Sequence, residues 1–297
     1  SFSKGVGIAG PPDRPGNKTL VILVGSLRCG EAAWDSLYRN VLDVNNADLM
    51  VSTSVDTPAI YQNASVFARA KYVYRKPEHD DWGDALDFID PDWREKVLPY
   101  YNTQSILLGL IKVNGTVIKG SGALVFYERW FIAQKIKQLG LTKKYDRFIL
   151  TRSDHSYMCP LDLSTMDNSK VWVPEGEDWR GICDRFFVAN SSSILPALDM
   201  LPALFRNASR YADLLEKSNT NTETYLLRRW QEEDLSIGRF RRNLYVCAVA
   251  GDSTRWRQPD GFASNTGVLV KYGDEYNLSV DTCQLNTTKM DVKLPSQ

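Results

Sequence analysis

"TLVILVGSLRCGEAAWDSLYRNVLDVNNADLMVSTS" (residues 19–54) decides the fold. It opens on TLVILVGSLR, a continuous apolar run broken at Gly25, which is how a strand buried on both faces leaves its sheet through a tight turn. Behind the turn, Trp34, Leu37, Tyr38, Val41 and Leu42 fall at i, i+3, i+4, i+7 and i+8, one face of a helix. ADLMVSTSVD (47–56) then returns as a second short apolar strand. Strand, helix and strand on short connections form a βαβ unit, which implies a parallel pair joined by a right-handed crossover.

The flanking sequence extends this pattern. Residues 1–18 are rich in Gly, Pro and polar groups and read as a stem or linker, leaving 19–297 as the folded domain. Residues 72–104 read as an irregular polar insertion with a short helix starting at Pro91. An amphipathic helix is expected over 124–141, with Phe126, Trp130, Ala133 and Ile136 on one face. Further strands are expected at 145–152, 170–174, 184–189 and 243–251, a helix opened by serines after 190, and another over 221–235 with Thr222 as its N-cap. The rest reads as a polar tail carrying Cys283 and two sequons. Alternating strands and helices predict an α/β fold, a mostly parallel central sheet with helices on both faces.

Composition narrows the function. Apolar residues make up 43% and charged residues 24%, an ordinary globular balance on a chain long enough for a sizeable core. Lys plus Arg and Asp plus Glu each number 36, so no global field recruits nucleic acid or an anionic membrane. No apolar run approaches the roughly 18 residues that span a bilayer, so a membrane anchor would lie outside this sequence. Asn-X-Ser/Thr occurs at Asn17, Asn63, Asn114, Asn190, Asn207, Asn277 and Asn286, where chance gives about two. Such a density predicts passage through the secretory pathway with glycans on surface loops. Five cysteines without a CxxC pair fit that compartment: one or two bridges, a thiol left over, and no zinc knuckle.

Three polar clusters sit at expected strand ends, where open α/β sheets place their ligand chemistry. GSLRCG (25–30) is a Gly-flanked turn whose backbone N–H groups and Arg28 suit a phosphate; the plainer reading is a tight turn with a surface arginine. In RSDH (152–155), Asp154 with His155 beside it suits a hard divalent cation that holds a diphosphate, with Arg152 helping. The alternative is a local Arg152–Asp154 ion pair beside a solvated histidine. PEGEDWRGICDRF (174–186) sets Glu175, Glu177, Asp178 and Asp184 with Trp179 around Gly176 and Gly181. It suits sugar hydroxyls or a base that deprotonates one, unless it is merely a solvated loop. Glu223, Glu232 and Glu233 are weaker candidates. GxSxG, HExxH and a Cys–His signature are absent from the sequence. Two-carboxylate glycoside hydrolysis stays open, because separation in space decides it.

The order of strand-then-GSLR, helix, ADLMVST, YERWFIAQKIKQLGLTKKYDRFILTRSD (127–154) and VWVPEGEDWRGICDRFFVAN (171–190) resembles a GT-A-type glycosyltransferase. The resemblance is to a branch whose metal motif reads Arg-x-Asp instead of Asp-x-Asp. It covers about residues 19–250, with YDRFILTRSD and GEDWRGICDRF carrying most of it. It implies a GT-A-like single domain that moves a sugar from a UDP- or GDP-sugar to a glycan or glycoprotein in the Golgi lumen, with Mn²⁺ or Mg²⁺ at the diphosphate. By the same resemblance Gly25, Ser26 and Arg28 contact the nucleotide, and Asp48 lies near the end of the second strand. Arg152 and Asp154 take the DxD-like position, Asp154 and His155 being the metal ligands. Asp184 and Arg185 match the family's Asp-Arg-Phe element, and Glu177, Trp179, Arg185 and His155 face sugar and acceptor. Asp178 or Asp184 is the base if the transfer inverts. The chain lacks the first Asp of DxD, which makes Arg152 a candidate to replace part of the cation's charge. A catalytically silent carbohydrate-binding protein on the same fold and a glycoside hydrolase are the alternatives.

Overall fold

The structure, a computed structural model, describes residues 18–252 and 267–285. The expected stem lies almost wholly outside these residues, as do Asn17 and Asn286. The strands are β1 (Thr19–Val24), β2 (Asp48–Ser54), β3 (Tyr72–Lys76), β4 (Lys112–Val113), β5 (Thr116–Val117), β6 (Arg147–Arg152), β7 (His155–Tyr157), β8 (Val171–Pro174), β9 (Phe187–Asn190), β10 (Ile237–Phe240), β11 (Leu244–Ala248) and β12 (Leu269–Val270). The helices are α1 (Glu31–Leu37), α2 (Ser65–Arg69), α3 (Trp82–Leu86), α4 (Trp93–Val97), α5 (Gly122–Gln138), α6 (Ile194–Leu198), α7 (Leu201–Arg206), α8 (Ala212–Glu216), α9 (Thr222–Glu232) and α10 (Gly273–Cys283).

Seven strands form one sheet in the order β10-β8-β9-β6-β1-β2-β3. β3, β2, β1 and β6 run parallel, as do β8 and β10, while β9 is antiparallel to both its neighbours. The expected α/β class with a mostly parallel sheet is therefore what forms. All six residues of β1 are buried, as a strand covered on both faces requires. Leu20, Ile22 and Val24 pack on one side with α3 to α9, while Val21 and Leu23 pack on the other with α1 and α10. Each buried aliphatic contributes about 1.5–3 kcal/mol, so β1 ties the two apolar layers together through both of its faces.

Several expectations need correction. The helix after β1 is α-helical only to Leu37 and continues as a π-helical turn over Tyr38–Leu42. The supposed insertion 72–104 supplies β3 to the sheet and buries Trp82 and Trp93 almost completely, so it is core rather than cover. Helix α5 is buried or half-buried nearly all round instead of amphipathic, and it carries Glu128 and Arg129 inward. The N-cap of α9 is Asn221, whose side chain accepts from Thr224 N. β10 was not anticipated, and β11 pairs antiparallel in a small sheet with β7 and β12. The polar tail contains α10, whose Glu275 and Tyr276 are buried. Disulfides join Cys29 to Cys247 and Cys159 to Cys283, leaving Cys183 as the free thiol.

Candidate functional site

The parallel strands β1, β2, β3 and β6 end along one edge, and a cavity of about 430 Å³ opens there. Gly25 makes the exit from β1 with φ 96°, a conformation that disfavours any side chain, and its N–H donates to Ser52 O at 3.1 Å. Ser153 Oγ donates to Ser26 O at 2.6 Å, and Trp34 Nε1 donates to Ser153 O at 3.0 Å. Cys29 adds its disulfide to Cys247 on β11, and its N–H donates to Asp252 Oδ2 at 2.8 Å. The turn is thus tied to β2, β6 and β11, and it presents Gly25, Ser26 and Arg28 to the cavity wall. Asp48 corrects the expectation: it opens β2 at the opposite edge of the sheet, accepting from Tyr145 Oη at 2.6 Å and Lys71 Nζ at 2.8 Å.

Arg152 ends β6 and lines the cavity, whereas Asp154 and His155 are not part of its wall. The Arg152 fork grips Asp154, Nε to Oδ1 and Nη2 to Oδ2, both at 2.7 Å. Arg28 Nε stands 3.5 Å from the same Oδ2. Burial by itself would raise the Asp154 carboxyl, but the charge and fork of Arg152, and then Arg28, hold it well below the usual carboxylate range. The ion-pair reading of RSDH is thus the one that forms, but its histidine is buried, not solvated. His155 Nδ1 lies 2.9 Å from Thr151 Oγ1, and burial foremost keeps the ring neutral.

The acidic loop divides in two. Asp184 and Arg185 line the cavity, while Glu177, Asp178 and Trp179 do not. Asp178 is tied down locally, accepting from Arg239 Nη1 at 2.7 Å and from Cys183 N at 3.0 Å, so the structure does not bring this candidate base to the cavity. Glu177, Trp179 and Arg180 have positive φ, and Trp179 is 51% exposed with its ring 6.1 Å from that of Tyr272. Arg185 stacks on the same Tyr272 ring at 4.8 Å and donates to the buried Glu275 at 2.8 Å.

Asp184 has a partner that the sequence left among the weaker candidates. Thr222 Oγ1 lies 2.8 Å from Asp184 Oδ2 and 2.9 Å from Glu223 Oε2. One hydroxyl carries one proton, so satisfying both contacts requires a proton on one of the two carboxyls. Burial and then the Asp184 charge push Glu223 up to about 7. Neither side chain has an ion-pair partner among the described residues, in contrast to Asp154 and Glu275.

The remaining basic wall was not anticipated. Lys76 ends β3 and pairs with Glu128 at 2.5 Å, and Arg129 on α5 donates to the Asp184 carbonyl. Lys271 follows β12 and is pushed down to about 8, by burial first and then by Arg152 and Arg185. The only sequence signal for these residues was position: each lies at a strand end or on a helix with an unusual charge inside an apolar stretch.

The described residues do not fit the Mn²⁺ or Mg²⁺ that the resemblance implies. A hard divalent cation takes six or more oxygen ligands, carboxylates foremost. Both Asp154 oxygens already sit in the Arg152 fork, and no group of three or more His, Cys, Asp or Glu among the described residues is arranged to hold a metal.

Of the sequons, Asn63, Asn114 and Asn207 are exposed. Asn190 uses its amide to hold Asn168 O at 2.6 Å, and Asn277 lies within α10 rather than on a loop. No helix of the described residues is long and apolar enough to cross a membrane.

No family model and no curated protein matches the chain. Among solved structures it is similar to mouse xyloside xylosyltransferase 1 in its apo form, at 8% identity and a TM-score of 0.40, over 76% of this chain and 85% of that one.

Proposed function

We propose that the protein is a nucleotide-sugar-dependent glycosyltransferase whose cavity takes the donor diphosphate against its basic wall. The reading rests on one observation: Arg28, Arg152, Arg185 and Lys271 share a cavity with the Asp184 carboxylate at the ends of parallel strands. When a nucleoside diphosphate leaves an anomeric carbon, negative charge grows on its phosphate oxygens, and pre-placed cations stabilise that charge. Planar guanidinium forks suit phosphate in particular. The acceptor hydroxyl must lose its proton as the bond forms. In an inverting transfer Asp184, the member of the Asp184–Glu223 pair that lines the cavity, takes that proton as general base.

The UDP- or GDP-sugar and the glycan or glycoprotein acceptor come from the sequence resemblance, and the basic wall supports the diphosphate of the donor. The sequons and two disulfides support a lumenal setting such as the Golgi. The test is release of UDP or GDP from a panel of nucleotide sugars offered with mixed glycan acceptors. At least one donor is expected to turn over, and Asp184→Asn is expected to slow it by roughly 100-fold or more. Carbohydrate binding without any nucleotide turnover would point to the silent binder, and turnover of simple glycosides without nucleotide to a hydrolase.

A further inference from the structure

Arg28, Arg152, Arg185 and Lys271 line one cavity, and the carboxylates that anchor the three arginines lie behind its wall. Asp154 is 1% exposed and Glu275 0%. Asp154 has both oxygens in the Arg152 fork. Glu275 Oε1 accepts from Arg185 at 2.8 Å and from Arg242 at 2.9 Å, and its Oε2 accepts from Val246 N at 3.0 Å. Neither anchor has an oxygen left for a metal. A divalent cation at either anchor would have to displace an arginine or a backbone donor and then sit beside the remaining guanidinium groups.

The wall also holds donors that lack acceptors. Arg129 is 2% exposed and lines the cavity, and its Nε and Nη1 have no hydrogen-bond partner, nor has Arg28 Nε. Buried donors left unpaired are costly, and a multiply charged phosphate group offers the acceptors they lack. Of the four acids on the same wall, Glu128 is taken by Lys76, Asp184 faces Glu223, and Asp56 and Glu78 are exposed; no three of them are arranged to hold a metal.

Resting on the donor reading above, we propose that Arg28, Arg152, Arg185 and Lys271 hold the nucleoside diphosphate without a divalent cation, so that donor binding is metal-independent. These side chains would then supply, as fixed charges, what a bound Mn²⁺ or Mg²⁺ supplies at a carboxylate site.

The test is calorimetric titration of the protein with UDP, GDP and inorganic pyrophosphate, in EDTA and again in Mn²⁺. The nucleotide that binds is expected to do so in EDTA, with a Kd that Mn²⁺ changes by no more than about threefold. Pyrophosphate is expected to compete with it in EDTA. Lys271→Met and Arg28→Gln are each expected to weaken binding by about tenfold, with the Tm of the unliganded variant separating lost binding from lost fold. If neither variant folds, the wild-type comparison decides alone. Binding that needs Mn²⁺, or is tightened beyond that threefold, overturns the metal-independent site while leaving the donor reading standing. No binding by any nucleotide in either condition overturns both.

Discussion

Asp154 is a buried carboxyl and Glu223 a half-buried one, yet their surroundings drive them in opposite directions. Asp154 is held ionised by two arginines, so Asp154→Ala leaves Arg152 and Arg28 near one another without their anchor. Breaking a buried pair in this way costs about 3–5 kcal/mol, and urea denaturation is expected to read a loss of that size. A loss under about 1 kcal/mol would mean that the fork is not a structural anchor. Glu223 works the other way. Its folded carboxyl is pushed up to about 7, above the ordinary glutamate value of 4.5, so the folded state binds more protons than the unfolded between those values. Stability is therefore fully present below the unfolded value and falls as pH rises toward 7, by on the order of 2–3 kcal/mol. Glu223→Gln is expected to flatten that window and to raise stability at pH 8. An unchanged pH profile would show that the pair shares no proton.

The acidic loop and α9 meet at Gly181. A Cβ there would stand 2.0 Å from Glu223 O and 2.4 Å from Thr224 N, so only glycine lets the loop seat on the first turn of the helix. Gly181→Ala is expected to cost about 1–3 kcal/mol by overpacking and to shift the pH dependence that Glu223 creates, read from the same denaturation series. A normal Glu223 titration in that variant would mean that loop and helix are independent. The legible elements were those whose sequence follows one period without interruption. β1, β2 and β6 are apolar runs buried on both faces, and Trp34, Leu37 and Val41 mark one helical stripe. β3 was hidden because YVYRK is an edge strand with Arg75 exposed, and the apolar pattern vanishes where only one neighbour covers it. α10 was hidden because its inward face uses Glu275 and Ser279, polar groups whose partners Arg185, Arg242 and Leu244 O are remote in sequence. For the same reason the site was half legible. Gly25, Arg28, Arg152 and Asp184 announced themselves at strand ends, but whether Asp154 meets a metal or an arginine is decided by side-chain geometry that spacing does not carry.

Across the whole molecule the site is assembled from segments far apart in the chain, and the disulfides hold two of the joins. Cys29 and Cys247 are 218 residues apart, and their bridge fixes the Arg28 turn against β11. Replacing both by serine is expected to lower stability by about 2–5 kcal/mol and to weaken nucleotide binding, measured by Tm and calorimetry on the same sample. Undiminished nucleotide affinity would show that the turn is held by Ser153 and Asp252 without the bridge. On the proposed function, the cavity at the ends of β1, β3 and β6 receives a nucleoside diphosphate. A crystal structure of the protein with UDP or GDP, grown in EDTA, tests it most directly. The diphosphate is expected among Arg28, Arg152, Arg185 and Lys271, with the Arg152–Asp154 fork intact. A nucleotide seated elsewhere, or a cavity left empty at saturating nucleotide, would contradict it.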